Sequence, residues 1–151
     1  MFLGLRRQEE GRPPRQNVQT VLVVEDEPLI AFDNEHALEQ AGYTIAATVN
    51  DYDLAVRVMD EGSVDLVIAD IGLHGDRSGM DVARYAATQA LPVLFVTGRC
   101  PIDAQSIAVG CLAKPYAPRD LVAAIKVIDA VLRGGRRPKL PPGLMLFEGK
   151  G

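Results

Sequence analysis

The chain has 151 residues, 48% of them apolar, 24% charged and 5% aromatic. That is one domain with a sizeable core, too hydrophobic for a disordered polymer and without the roughly 20 consecutive apolar residues of a membrane helix. The net charge of −4 divides into +2 over residues 1–17, −9 over 18–133 and +3 over 134–151, an acidic body that argues against direct nucleic-acid binding.

Residues 1–17, with Pro13-Pro14 and no long apolar run, read as a flexible arm and a poor signal peptide. The domain proper is expected over 18–133. Val21–Val24 is a continuous apolar strand that runs into Glu25-Asp26-Glu27. Pro28 suits a first helical turn; Ile30, Ala37, Leu38 and Ala41 share a face, and Gly42 can end the helix. Tyr43–Val49 is mixed and suits an edge strand. Asn50 can cap the next helix, which carries Leu54, Ala55, Val58 and Met59 before Gly62.

Leu66–Ala69 is a second apolar strand, ending at Asp70, and a helix follows over about Gly79 to Gln89. Val93–Val96 is the third, ending at Thr97-Gly98, and Cys111–Ala113 is a short fifth strand leading into Lys114-Pro115. The last helix opens at Pro118 with Leu121, Ala124, Ile125, Ile128 and Leu132 on one stripe. Lys126, Asp129 and Arg133 form only a narrow polar strip, so the broad apolar face suits either core or contact with a second copy. Residues 134–151 read as a Gly/Pro-rich tail with one apolar cluster, Leu144 to Phe147.

Five alternations of strand and helix predict a doubly wound α/β domain, in which ligands bind beyond the carboxyl ends of the strands. There the sequence gathers Glu25, Asp26, Asp70, Thr97 and Lys114. Carboxylates gathered this closely need a cation, and hard oxygen ligands suit magnesium. Asp is a known nucleophile towards phosphoryl groups, and Lys114 and Thr97 would contact the phosphoryl oxygens. Glu27 reads as an ordinary solvated acid. His36 and His74 read as surface histidines rather than metal ligands. The two cysteines lack a Cys-x-x-Cys spacing, which excludes a disulfide framework and a thiolate zinc cluster; Cys111 reads as a small buried hydrophobe and Cys100 as passive.

The segments VLVVEDEPLI, DLVIADIGLHGDRSGMDVA, PVLFVTG and AKPY, in that order over about residues 18–133, resemble the receiver domains of two-component response regulators. The resemblance implies a flavodoxin-like five-stranded parallel sheet of order 2-1-3-4-5. It implies that Asp70 accepts phosphate from a histidine kinase or a histidine phosphotransfer protein. Mg2+ would be held by Asp26 directly, Glu25 through water, Asp70, and the backbone carbonyl of Gly72. Thr97 matches the switch hydroxyl and Lys114 the phosphate-pairing lysine. The implied protein is cytoplasmic, has no catalytic turnover of its own, and acts through contacts with an unidentified downstream protein, with a homodimer through the last helix as one option.

The chain also departs from the pattern. The interval from Thr97 to Lys114 leaves room for about two helical turns, Ile102 to Ala108, where the family has a longer fourth helix. Cys111 stands where an aromatic switch residue is usual, and His74 replaces a frequent proline. Gly72 and Arg99 fill the two positions that tune phosphoryl lifetime. Phe95-Val96-Thr97-Gly98 is similar to the Phe-Ala-Thr-Gly signature of an atypical receiver subgroup. Two alternatives remain open on the residues alone: a magnesium-dependent phosphatase with an aspartate nucleophile, and a binding module with a vestigial acidic pocket.

Overall fold

The computed structural model describes residues 18–101 and 106–147. The strands that are apolar throughout must be covered on both faces, and they are. The elements run β1 (Thr20–Val24), α1 (Pro28–Gln40), β2 (Thr44–Val49), α2 (Tyr52–Asp60), β3 (Leu66–Ala69), α3 (Gly79–Thr88), β4 (Val93–Thr97), β5 (Gly110–Ala113), α4 (Pro118–Leu132) and β6 (Leu144–Leu146). The sheet order is β2-β1-β3-β4-β5-β6. The first five strands are parallel in the expected 2-1-3-4-5 order, with β2 at the edge.

Strand alternation sends successive side chains to opposite layers. Val21, Val23, Ile68, Leu94, Val96 and Leu112 pack with Leu38 of α1 and Leu121, Ala124, Ile125 and Ile128 of α4. Leu22, Val24, Val67, Ala69, Val93, Phe95 and Cys111 pack with Ala55 and Met59 of α2 and with Val82, Ala83 and Ala86 of α3. The breadth of the α4 apolar face is therefore mostly core; Val131 and Leu132 are the residues it leaves exposed.

Several expectations are corrected. Residues 144–147 are not a trailing tail. Leu144–Leu146 is a sixth strand, antiparallel to β5, and Phe147 is buried beside Cys111. Their apolar side chains are drawn onto the edge of β5, and Gly110 permits the approach: a Cβ there would lie 2.8 Å from the Met145 carbonyl oxygen. Asp129 is not on a solvated strip. It is buried and accepts the Val18 amide at 2.8 Å and the Arg133 Nε at 3.1 Å, tying the entry of β1 to α4. Asp51, not Asn50, caps α2, its Oδ1 accepting the Leu54 amide at 2.9 Å. Of the helix expected over Ile102–Ala108, residues 102–105 lie outside the described residues, and 106–108 form no helix. The arm at 1–17 lies outside them too. Among the described residues no helix is long and apolar enough to cross a membrane.

Gly110→Val should unseat β6. Hydrogen exchange is expected to accelerate at the Phe147 amide, which donates to Val109 at 2.9 Å, while the amides of β1 and β3 keep their protection.

Candidate functional site

The parallel register brings the ends of β1, β3, β4 and β5 to one rim. Glu25 leaves β1 with its amide bonded to Val49 at 2.9 Å, and Asp70 leaves β3 with its amide bonded to Val24 at 2.9 Å. Both are buried; Asp26 is half-buried. One carboxylate oxygen from each of Glu25, Asp26 and Asp70 lies within 4.8 Å of the other two.

Lys114, just past β5, is the cation of this cluster. Its Nζ lies 3.0 Å from Asp70 Oδ2, 3.1 Å from Glu25 Oε1 and 3.4 Å from Glu27 Oε1. The Lys114 amide donates to the Thr97 carbonyl at 2.7 Å, so β4 fixes where the lysine departs. Burial works to lower the Lys114 pKa, but the bonds to Asp70 and Glu25 outweigh it and hold the ammonium well above its ordinary value. Burial raises the Glu25 carboxyl, opposed by the Glu27 amide, which donates to Oε2 at 3.2 Å, and by Lys114.

Asp70 is held from two sides, since its Oδ1 accepts the Gly72 amide at 3.0 Å. Its backbone is held by α3. Gly79, the first residue of that helix, donates its amide to the Ile71 carbonyl at 3.0 Å and packs so closely that a Cβ would fall 2.1 Å from the Asp70 carbonyl oxygen. Ser78 and Asp81 form a capping box that fixes this turn.

The structure thus brings Glu25, Asp26, Asp70 and Lys114 together. Thr97, buried at the end of β4, is at the same rim, but among the described residues no hydrogen bond joins its hydroxyl to Asp70. Gly72 meets the cluster through its amide; its carbonyl is the cation ligand that the resemblance implies. Arg99 is exposed.

Three participants were not expected. Glu27 turns towards Lys114, and its place beside Glu25-Asp26 was the only signal. His74 is exposed, yet its amide donates to Asp26 Oδ2 at 2.8 Å and its Nδ1 contacts the same oxygen. Tyr116, two residues after Lys114, donates its hydroxyl to buried Asn34 of α1 at 3.0 Å, and burial raises its phenol pKa. This bond braces the turn after Lys114 against α1, and nothing in the sequence pointed to Asn34.

The donor set fits a hard divalent cation: all three acids offer oxygen, and Glu25 Oε1, apart from its ion pair with Lys114, has no hydrogen bond. Magnesium bound there would neutralise charge on a transferring phosphoryl group.

The pattern described as the response regulator receiver domain matches residues 21–126. The chain belongs to the response-regulator receiver family. It is 32% identical over 123 residues to the phyllosphere-induced regulator PhyR of Methylorubrum extorquens, covering 78% of this chain and 46% of that protein. It is 32% identical over 113 residues to the transcriptional regulatory protein PdtaR of Mycobacterium tuberculosis, covering 71% of this chain and 55% of that one. The receiver therefore spans about half the length of the curated relatives it matches. Among solved structures, the signal receiver domain of a modulated diguanylate cyclase from Desulfovibrio desulfuricans superposes with a TM-score of 0.68 at 29% identity, covering 78% of this chain and 97% of that chain.

Gly79→Ala should displace the Asp70 backbone or the start of α3. A loss of at least about 1–3 kcal/mol is expected in urea unfolding, the range for overpacking a core; an unchanged midpoint would mean that the turn yields freely.

Proposed function

We propose that this receiver takes a phosphoryl group on Asp70 from a phosphohistidine of a histidine kinase or phosphotransfer protein, and is read by other proteins through its surface. The observation that carries the reading is Lys114 Nζ at 3.0 Å from Asp70 Oδ2, on a rim where three carboxylates meet. In the transfer, an Asp70 oxygen forms a bond to phosphorus as the phosphorus–nitrogen bond breaks, and the imidazole leaves with the electron pair. Gly72 N–H and Lys114 orient the carboxylate beforehand, and the lysine, with the Thr97 hydroxyl nearby, faces the charge of the arriving oxygens. The acidic trio, with Gly72 as the expected carbonyl ligand, is the magnesium site of this reading.

The reading is of an acceptor and not of a turnover enzyme. The position two after Asp70 is Gly72, which supplies no acid for a leaving alcohol. The phosphohistidine donors it requires place it in the cytoplasm. Leu29 and Phe32, 81% and 66% exposed on the first turns of α1, lie next to the acidic rim and offer the donor an apolar footing.

Acetyl phosphate with Mg2+ should add one phosphoryl group to the intact chain, detected by mass spectrometry. Asp70→Asn should abolish the gain, and Lys114→Gln should slow it about 100- to 1,000-fold. No gain, and no Mg2+ affinity, would leave a vestigial binding module. Steady hydrolysis of a phosphomonoester that depends on Asp70 would make the protein a phosphatase.

Phe32→Asp should separate docking from chemistry. Transfer from a phosphohistidine protein is expected to fall about tenfold, as for the loss of a buried anchor, with the acetyl phosphate rate unchanged.

A further inference from the structure

Cys100 and Cys111 are joined by a disulfide. This overturns the expectation that both are passive: a single bridge needs no Cys-x-x-Cys spacing, only that the fold bring two residues eleven apart in sequence to a Cα separation of 5.9 Å. Its placement is specific to the site. Cys100 comes three residues after Thr97, and Cys111 three residues before Lys114. Cys111 is paired in register with Phe95, and Thr97 with Ala113. The chain therefore bends back after Thr97, and the bridge fastens the Thr97-Gly98-Arg99 bend onto β5. The three carboxylates that could hold a cation follow other strands, at the ends of β1 and β3.

We propose that this pair is a redox modification site, reduced by a thioredoxin-class dithiol protein, that sets how readily Asp70 is phosphorylated. The inference rests on the acceptor reading above. That reading places the chain in a reducing compartment, where bridges are transient and serve as signals. The two sulfurs differ in access: Cys111 is fully buried, whereas Cys100 is half-buried at the surface. A thiolate of the reductant attacks Cys100 Sγ, and the Cys100–Cys111 bond breaks with Cys111 leaving as thiolate and taking a proton. The second reductant thiol then attacks its partner sulfur in the mixed disulfide, freeing Cys100. Two electrons pass, and the reductant ends as the disulfide. Oxidised glutathione, itself reduced to two thiols, reverses the exchange.

The bridged form holds the loop that leaves Thr97, the last residue of β4, against the strand that leads to Lys114, so the two groups that meet the phosphoryl oxygens are preorganised. Opening the bridge frees that loop and leaves the acidic trio in place.

The test uses the full chain, oxidised with glutathione disulfide or reduced with thioredoxin, and scores thiols by alkylation and mass spectrometry. Both forms are then phosphorylated with acetyl phosphate and Mg2+. The oxidised form is expected to be about three- to tenfold faster, the scale of effect that positioning of reacting groups produces. Mg2+ affinity by calorimetry should be equal in the two. Cys100→Ser should match the reduced rate and ignore the reductant. The inference is overturned if no bridge forms, if thioredoxin leaves it intact, or if the two forms are phosphorylated at the same rate. Failure of both forms to be phosphorylated overturns the acceptor reading itself, and the coupling with it.

Discussion

Three carboxylates with oxygens within 4.8 Å repel one another by about 3–4 kcal/mol per pair at an effective dielectric constant of about 20. The chain tolerates this because Lys114 enters from a third strand, β5, and touches two of them and Glu27 besides. The lysine is worth more here than at a surface, since its partners Glu25 and Asp70 are buried and cannot be compensated by water. A divalent cation would relieve the repulsion further, and so the site is built to recruit charge.

That arrangement places demands on elements remote from the chemistry. Asp70 is positioned because α3 begins almost in contact with its backbone, and only glycine at position 79 permits that. Lys114 is positioned because β5 keeps register with β4 and because Tyr116 anchors the following turn on Asn34. The entry of β1, the strand that leads into Glu25, is pinned through Val18 to Asp129 in α4. Asp70, Lys114 and Glu25 thus each have a backbone constraint at a distance, which suits preorganisation of charged groups.

The five-stranded frame and the acidic rim were legible in the sequence because both depend on local signals. Continuous runs such as Val21–Val24 and Leu66–Ala69 fit only a covered parallel sheet, and strand ends in such sheets are where functional residues collect. What was not legible depends on contacts between distant segments. Asp129 occupies a helix position whose pattern reads as solvent, and its burial goes with a bond from the Val18 amide, 111 residues away. Asn34 and Glu27 became part of the site by the same kind of pairing. Leu144 to Phe147 looked like a tail because a three-residue strand has too short a period to register.

The departure at position 111 and the appearance of β6 have a common physical logic. Cysteine in the middle of β5 removes the volume that an aromatic ring would fill, and a loss of that kind costs stability unless neighbours close in. Here two neighbours do. Cys100 reaches Cys111 from the loop after β4, and Phe147 returns an aromatic ring to the same layer from β6. Gly110, beside Cys111, is what lets β6 approach closely enough to deliver it. The edge of the sheet next to Lys114 is thereby closed by a strand and a bridge, where an aromatic switch would leave a side chain to move.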